Sequence, residues 1–172
     1  MKNSDSQFNT LRVAFPSAQK IDKYEPTQIS LDYEYILLEN IYSPLVEINR
    51  DGFIEAGVAE KYEWVGDELK LTIRKNLKTI SGHKITSDDV LFSLKRLLVL
   101  SGNTHGNFKD IVCPSSQLKS VNEPCEGIRA DEESVYLKAK GGKSFLLQMI
   151  SSIDFAIIPK HAVDLETLKI KD

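Results

Sequence analysis

Apolar residues recur along this chain in two rhythms, one of period 3.6 and one of period 2. The first is clearest over residues 86–100, where Val90, Leu91, Leu94, Leu97 and Leu98 fall on one helical face. Its start is signalled by Thr86 or Ser87 as cap, by Asp88 and Asp89 on the first turn, and by the capping-box spacing of Thr86 and Asp89. Lys95 and Arg96 come late, where the helix dipole favours cations. The turn dipeptide Ser81-Gly82 precedes all of this. The pattern predicts a helix of about four turns with its apolar face on a sheet.

The second rhythm supplies the sheet. In Glu68-Leu-Lys-Leu-Thr-Ile-Arg74, Leu69, Leu71 and Ile73 share one face, and Tyr62-Glu-Trp-Val65 alternates before the Gly66-Asp67 turn. Leu45-Val-Glu-Ile48, the turn Asn49-Arg-Asp-Gly52 and Phe53-Ile54 read as a hairpin, and residues 58–61 as a brief helical turn. A second hairpin turns at Asp131-Glu-Glu133, with Val135, Leu137 and Ala139 inward. Residues 11–15 and Phe155-Ala-Ile-Ile158 read as short strands, and 161–168 as a helical turn or two. Two further helices are predicted. One is capped by Asp32 and lined by Ile36, Leu37, Ile41 and Tyr33; the other, over 144–150, buries Phe145, Leu146, Met149 and Ile150. Residues 101–124 form the longest irregular stretch. A one-sided, mostly antiparallel sheet spanning residues 45–73, joined by the 135–139 strand and packed with helices, is an α+β arrangement.

Composition narrows the functional classes. At 172 residues the chain holds one core, and 41% apolar with 27% charged residues describes a globular domain. The 22 basic and 25 acidic residues leave a formal charge of -3 with no basic block, so the electrostatic footprint of a nucleic-acid binder is missing. No run has the length of a membrane span, and residues 1–7 carry no apolar signal core.

Candidate chemistry is sparse. There is no G-x-S-x-G, H-E-x-x-H or phosphate loop, so no catalytic residue is assigned and no cofactor is expected. Asp88 and Asp89 point about 100° apart on a helix and serve its start better than acid–base work. His83, His105 and His161 are scattered and none has metal-ligand spacing with Cys113 or Cys125, so no metal site is assigned. The two cysteines are either a disulfide closing a short loop or a pair of free thiols. Trp64 is read as a core or sheet-edge aromatic.

Four stretches in this order resemble a known family: Tyr42-Ser-Pro-Leu-Val46, Val58-Ala-Glu-Lys-Tyr-Glu-Trp64, Leu69-Lys-Leu-Thr-Ile-Arg-Lys-Asn-Leu77 and Thr79-Ile-Ser-Gly-His-Lys-Ile-Thr-Ser-Asp-Asp-Val90. Together they are similar to the N-terminal part of the extracellular solute-binding proteins of peptide-type (oligopeptide, dipeptide, nickel) ABC importers. The series is close over residues 11–96 and loose over 127–163. Ser81 stands where the family has an aspartate, Ile80 where it has an aromatic residue, and Ser87 where it has alanine.

The resemblance implies a type II periplasmic-binding-protein-like fold, of which this chain is a fragment of lobe I. Residues 1–44 would hold the first strand and helix of that lobe, and 45–172 mainly its inserted subdomain, in a single domain. It implies a receptor without enzymatic activity that captures a peptide or similar small solute and hands it to ABC permease subunits. The protein would be exported, periplasmic or extracellular, with its signal peptide removed and a lipid anchor one option. The segment 16–20 matches the family's cleft-lining loop, which puts Ser17, Ala18 and Gln19 at the ligand. The oxidising compartment favours the Cys113–Cys125 disulfide. The rival expectation is a solute-sensing or interaction domain of a cytoplasmic regulator with the same fold, in which the thiols stay free.

Overall fold

A computed structural model describes residues 14, 24–101, 106–114, 118–139 and 143–171. The expected strand over 11–15 and the segment with Ser17, Ala18 and Gln19 lie outside the described residues, as does His105. Helix α1 (Asp32–Leu38) leads to the hairpin β1 (Val46–Ile48) and β2 (Ile54–Ala56). Next come β3 (Ala59–Val65), β4 (Glu68–Ile73), α2 (Ser87–Ser101) and α3 (Gly106–Val112). The chain continues through β5 (Ile128–Ala130), β6 (Ser134–Lys138) and α4 (Lys143–Met149), with short 3-10 turns at Pro26–Gln28, Ile153–Phe155 and Lys160–Ala162.

The main sheet is antiparallel with order β3-β4-β6-β5, and Leu69 pairs with Leu137 and Leu71 with Val135. All four of those side chains are fully buried, as the alternation predicts. Against that face α2 lays Val90, Leu94, Leu97 and Leu98, in one cluster with Phe108, Val112, Leu146 and Ile150. Burial of each such leucine is worth roughly 2 kcal/mol.

The expected start of α2 is present. The Asp89 carboxylate accepts from the Thr86 amide at 3.0 Å, and the Asp89 amide donates to the Thr86 hydroxyl at 3.3 Å. The turn into it uses Gly82 at φ +87°. The β1–β2 hairpin also matches: Asn49 Oδ1 accepts from the amides of Asp51 and Phe53, each at 3.0 Å, and Gly52 takes φ +85°.

Several expectations are corrected. The hairpin is a sheet of its own and does not extend the four-stranded one. It is tied to β3 through Val58 and Ala59, whose amides donate to the Pro44 and Leu45 carbonyls. Residues 58–61 are not helical, because Ala59 already pairs with Ile73; a register irregularity between Ala59 and Lys61 hides the strand's alternation. Asp32 does not cap α1. Glu34 reaches back instead and accepts from the Ser30 and Leu31 amides at 2.9 and 3.0 Å. The face of α1 is also shifted: Leu38 is buried with Ile153 and Ala156, while Ile36 and Ile41 are exposed. The irregular stretch contains α3, whose Phe108 and Val112, four apart, are buried among glycine and polar neighbours that mask the period. Phe145 is exposed, so Leu146 and Ile150 hold α4 in place.

The run 155–158 is not a strand within the described residues. It is buried, its first residue closes the 3-10 turn Ile153–Phe155, and the polar groups that follow go elsewhere: the Ile157 amide donates to the Ser43 carbonyl at 3.1 Å, and the Ile158 amide to Ser93 Oγ at 2.7 Å. After it comes the 3-10 turn Lys160–Ala162, where helix was expected up to 168, and an isolated bridge from Val163 to Ile170.

Arg96 is the largest departure. It is 1% exposed, on the side of α2 opposite the sheet. Its Nε donates to the Leu168 carbonyl at 2.8 Å, and its two terminal nitrogens reach both oxygens of Glu25, so one guanidinium joins α2 to segments from both ends of the described chain. Phe92 packs on Ile158, Val163 and Leu168 beside it.

Trp64 is half-buried against the core, with Lys143 Nζ 4.7 Å from the ring centroid, which is the sheet-edge role expected. Cys113 and Cys125 form a disulfide with Cα atoms 5.2 Å apart, both residues buried. It fastens the end of α3 to the approach to β5. Among the described residues no helix is long and apolar enough to cross a membrane.

Candidate functional site

A cleft of about 770 Å³ is bounded by the α1–β1 connection, the end of the hairpin, the β4–α2 connection and the segment 157–170. Each wall has a local reason. The β4–α2 connection is a closed loop: the Ile85 amide donates to the Leu77 carbonyl at 3.0 Å, Lys78 bridges to Lys84, and the Thr79 amide donates to the His83 carbonyl at 2.9 Å. Its tip carries a hydroxyl chain, Thr79 Oγ1 to Ser81 Oγ at 2.9 Å and Ser81 Oγ to His83 Nδ1 at 3.1 Å. On the hairpin side, Arg74 donates to the Gly57 carbonyl at 3.0 Å and pins the end of β2 to the end of β4. Gly57 itself is needed there, since a Cβ would sit 2.6 Å from the Pro44 carbonyl oxygen.

The floor is apolar, with Val58, Leu77, Ile85, Ile157 and Ile158 among its residues. Two lining isoleucines have little cover: Ile41 is half-exposed and Ile80 fully exposed. Besides Tyr42, the ionisable lining groups are Glu47, Arg74, Lys78 and His161, a mildly cationic set. Tyr42 also lines the cleft, and its hydroxyl donates to the Tyr24 carbonyl at 3.0 Å. Burial, followed by the neighbouring Glu25 carboxylate, pushes the Tyr42 phenol up, with Arg96 opposing, so it is held as a neutral donor.

The cleft offers surface and hydrogen bonds. Ser81 beside His83 has the elements of a nucleophile–base pair, but the other partner of Ser81 is the Thr79 hydroxyl, and His83 stacks on the His161 imidazole with no orienting carboxylate among the described residues. Among the described residues no group of three or more His, Cys, Asp and Glu could hold a metal ion.

The residues singled out in the sequence are only partly placed. Ser17, Ala18 and Gln19 are outside the described residues, so the cleft is built without them. The structure does bring His83 and His161 together, their rings stacked with centroids 3.9 Å apart and planes at 25°. Sequence reasoning treated them as scattered, and no spacing rule connects positions so far apart.

No protein-family model matches this chain, and no curated protein sequence does. Solved structures do. The chain superposes over 86% of its length, at 19% identity and a TM-score of 0.71, on the Escherichia coli murein tripeptide binding protein MppA, 30% of which it covers. With Haemophilus influenzae OppA in complex with the peptide RPPGFSPFR the match covers 81% of the chain and 29% of OppA, at 18% identity and a TM-score of 0.69. AgaA of A. tumefaciens R10, in complex with agropinic acid, matches over 81% of the chain and 26% of its own length, at 23% identity and a TM-score of 0.65. The chain therefore shares the fold of part of these binding proteins and spans under a third of each.

Proposed function

We propose that this chain is part of lobe I of a solute-binding receptor that captures a peptide or similar small solute and delivers it to an ABC permease. The observation that carries this reading is the fold likeness to MppA and OppA over more than four-fifths of the chain. That likeness to two peptide-binding proteins extends the ordered sequence matches at residues 42–46, 58–64, 69–77 and 79–90. AgaA, with agropinic acid, argues for keeping the solute class broad.

In this reading residues 1–44 supply the first strand and helix of the lobe, and 45–172 mainly its inserted subdomain. The loop with Ser17, Ala18 and Gln19 would line the solute site. The apolar cleft has a different part. Its uncovered Ile41 and Ile80 make a face suited to further polypeptide of the same receptor, because exposed apolar area of this kind marks a packing surface. Capture would then be a closing motion of two lobes with no bond chemistry.

The disulfide Cys113–Cys125 favours an exported receptor over a cytoplasmic regulator, since such bonds persist in oxidising compartments. The test is to express the complete reading frame that contains these residues and titrate it with a mixed di- to pentapeptide pool. Micromolar binding that is lost on replacing Ser17 and Gln19 by bulky residues supports the proposal. A reading frame of these 172 residues alone, or one that joins them to a DNA-binding domain, overturns it.

A further inference from the structure

His161 lines the cleft, and His83 stacks on it from the β4–α2 connection. His83 is at the end of the closed turn 79–84, which puts Thr79, Ile80 and Ser81 into one wall; His161 lies in the 3-10 turn Lys160–Ala162, which puts His161 and Ala162 into the other. Their rings stack at 3.9 Å, and both residues are solvent-accessible, His83 the more so. We infer that this pair is an acid-operated clasp, stacked while at least one imidazole is neutral and driven apart once both carry a proton, so that acidification frees turn 79–84 from the 160–162 turn and opens the cleft.

The reasoning is electrostatic. Imidazole is the side chain whose charge changes between about pH 5 and 8, and one charged ring on one neutral ring still stacks. Two charged rings at this separation repel, and the groups around them do not offset it. Lys78 and Lys84 bracket the first turn, and Lys160 adjoins His161. Lys171 Nζ donates to the His161 carbonyl at 3.0 Å. The start of α2 brings Asp88 and Asp89, but Asp89 is already engaged: Oδ1 accepts the Lys160 amide at 3.1 Å and Oδ2 accepts from the Thr86 amide and hydroxyl. Glu47 and Arg74 also line the cleft and balance each other in charge. Among the described residues no carboxylate pairs with either ring; the Ser81 hydroxyl at His83 Nδ1 can donate to a neutral ring or accept from a charged one. The local excess is cationic, so a second proton is met by repulsion. The inference rests on this geometry and stands or falls apart from the receptor reading.

The test is hydrogen exchange on the 172-residue chain at pH 7.5 and 5.5, corrected for the intrinsic pH dependence of exchange and followed at the Thr79, Gly82 and Ile85 amides, which are bonded within the loop. Protection there should fall at least about fivefold at the lower pH, the low end for two like charges about 4 Å apart in a water-like setting, while the amides of β4 and β6 stay protected. In His83→Phe, which keeps an aromatic ring under His161 and removes one charge, the fall should vanish. Equal loss in wild type and variant, or no loss in wild type, overturns the clasp. If His83→Phe does not fold, His161→Phe makes the same test. The inter-ring nuclear Overhauser contacts of the wild type give an answer without any variant: contacts that persist unchanged at pH 5.5 contradict the proposal.

Discussion

Gly127→Ala is the smallest change expected to break this fold, and its effect should depend on a bond elsewhere in the chain. A Cβ built on Gly127 lies 2.2 Å from the Val112 carbonyl oxygen and 2.9 Å from that residue's Cα and carbonyl carbon. Real Cβ atoms essentially never approach closer than 3.0 Å, so the backbone must open by most of an ångström. Neither side can yield easily. Val112 closes α3 next to Cys113, whose amide donates to the Lys109 carbonyl at 2.7 Å; Gly127 precedes β5, and its carbonyl accepts the Lys138 amide at 2.8 Å. The Cys113–Cys125 bond then locks the two segments together. Overpacking costs about 1–3 kcal/mol in general, and a backbone-on-backbone clash at a cross-linked point should reach about 3 kcal/mol or more. Urea melts of the oxidised protein measure it. Repeating the substitution in a Cys113→Ala/Cys125→Ala background, where the segments can separate, should cut the cost by at least about 1 kcal/mol, a coupling a double-mutant cycle resolves. A cost below about 1 kcal/mol in the oxidised protein, or an identical cost in both backgrounds, would refute the reasoning.

Other outcomes follow from the same packing. Reducing the disulfide in otherwise native solvent should lower unfolding free energy by roughly 3 kcal/mol in the chain-entropy picture, read as a shift of the urea midpoint with and without reductant. Leu94→Ala should cost about 2–5 kcal/mol, since Leu94 is 1% exposed in the main core; under 1 kcal/mol would mean the α2 face is misassigned. Arg96→Met alone should cost about 3–5 kcal/mol because Glu25 and the Leu168 carbonyl lose their partner, and adding Glu25→Leu should restore much of it. Asp131 is held below the usual carboxylate range, first by the Tyr136 hydroxyl and then by the Glu133 and Ser134 amides. A depressed carboxyl stabilises above its unfolded value of about 3.9 and loses that effect as pH falls through the lower folded value, so wild type and Asp131→Asn should differ in urea midpoint at neutral pH and begin to converge only below about pH 4.

What the sequence disclosed and what it hid divide along the range of the interactions. Local rules carried α2, its Thr86–Asp89 box, the Gly52 and Gly82 turns, and the alternation of Leu69, Leu71 and Ile73, because each is fixed by neighbours within four positions. The disulfide pairing was legible only through the resemblance and its compartment. In the sequence Arg96 reads only as a late-helix cation favoured by the dipole, because nothing near it in the chain reveals Glu25 or Leu168, which meet it from distant segments. Residues 155–158 have a strand's composition, yet Ser43 and Ser93 take up the amides of Ile157 and Ile158, and a pattern of side chains does not report where backbone bonds go. The His83–His161 stack is likewise long-range, and at the cleft the sequence contributed residue types without their meeting.

Titration calorimetry of the 172-residue chain with a mixed di- to pentapeptide pool tests the central claim most directly. A two-lobed receptor draws its affinity from desolvated contacts on both walls, so one lobe in water orders a peptide for few hydrogen bonds. The account predicts folded protein with no binding tighter than about millimolar, equivalent to about 4 kcal/mol. Micromolar binding would contradict it, because the chain would then be a complete receptor by itself.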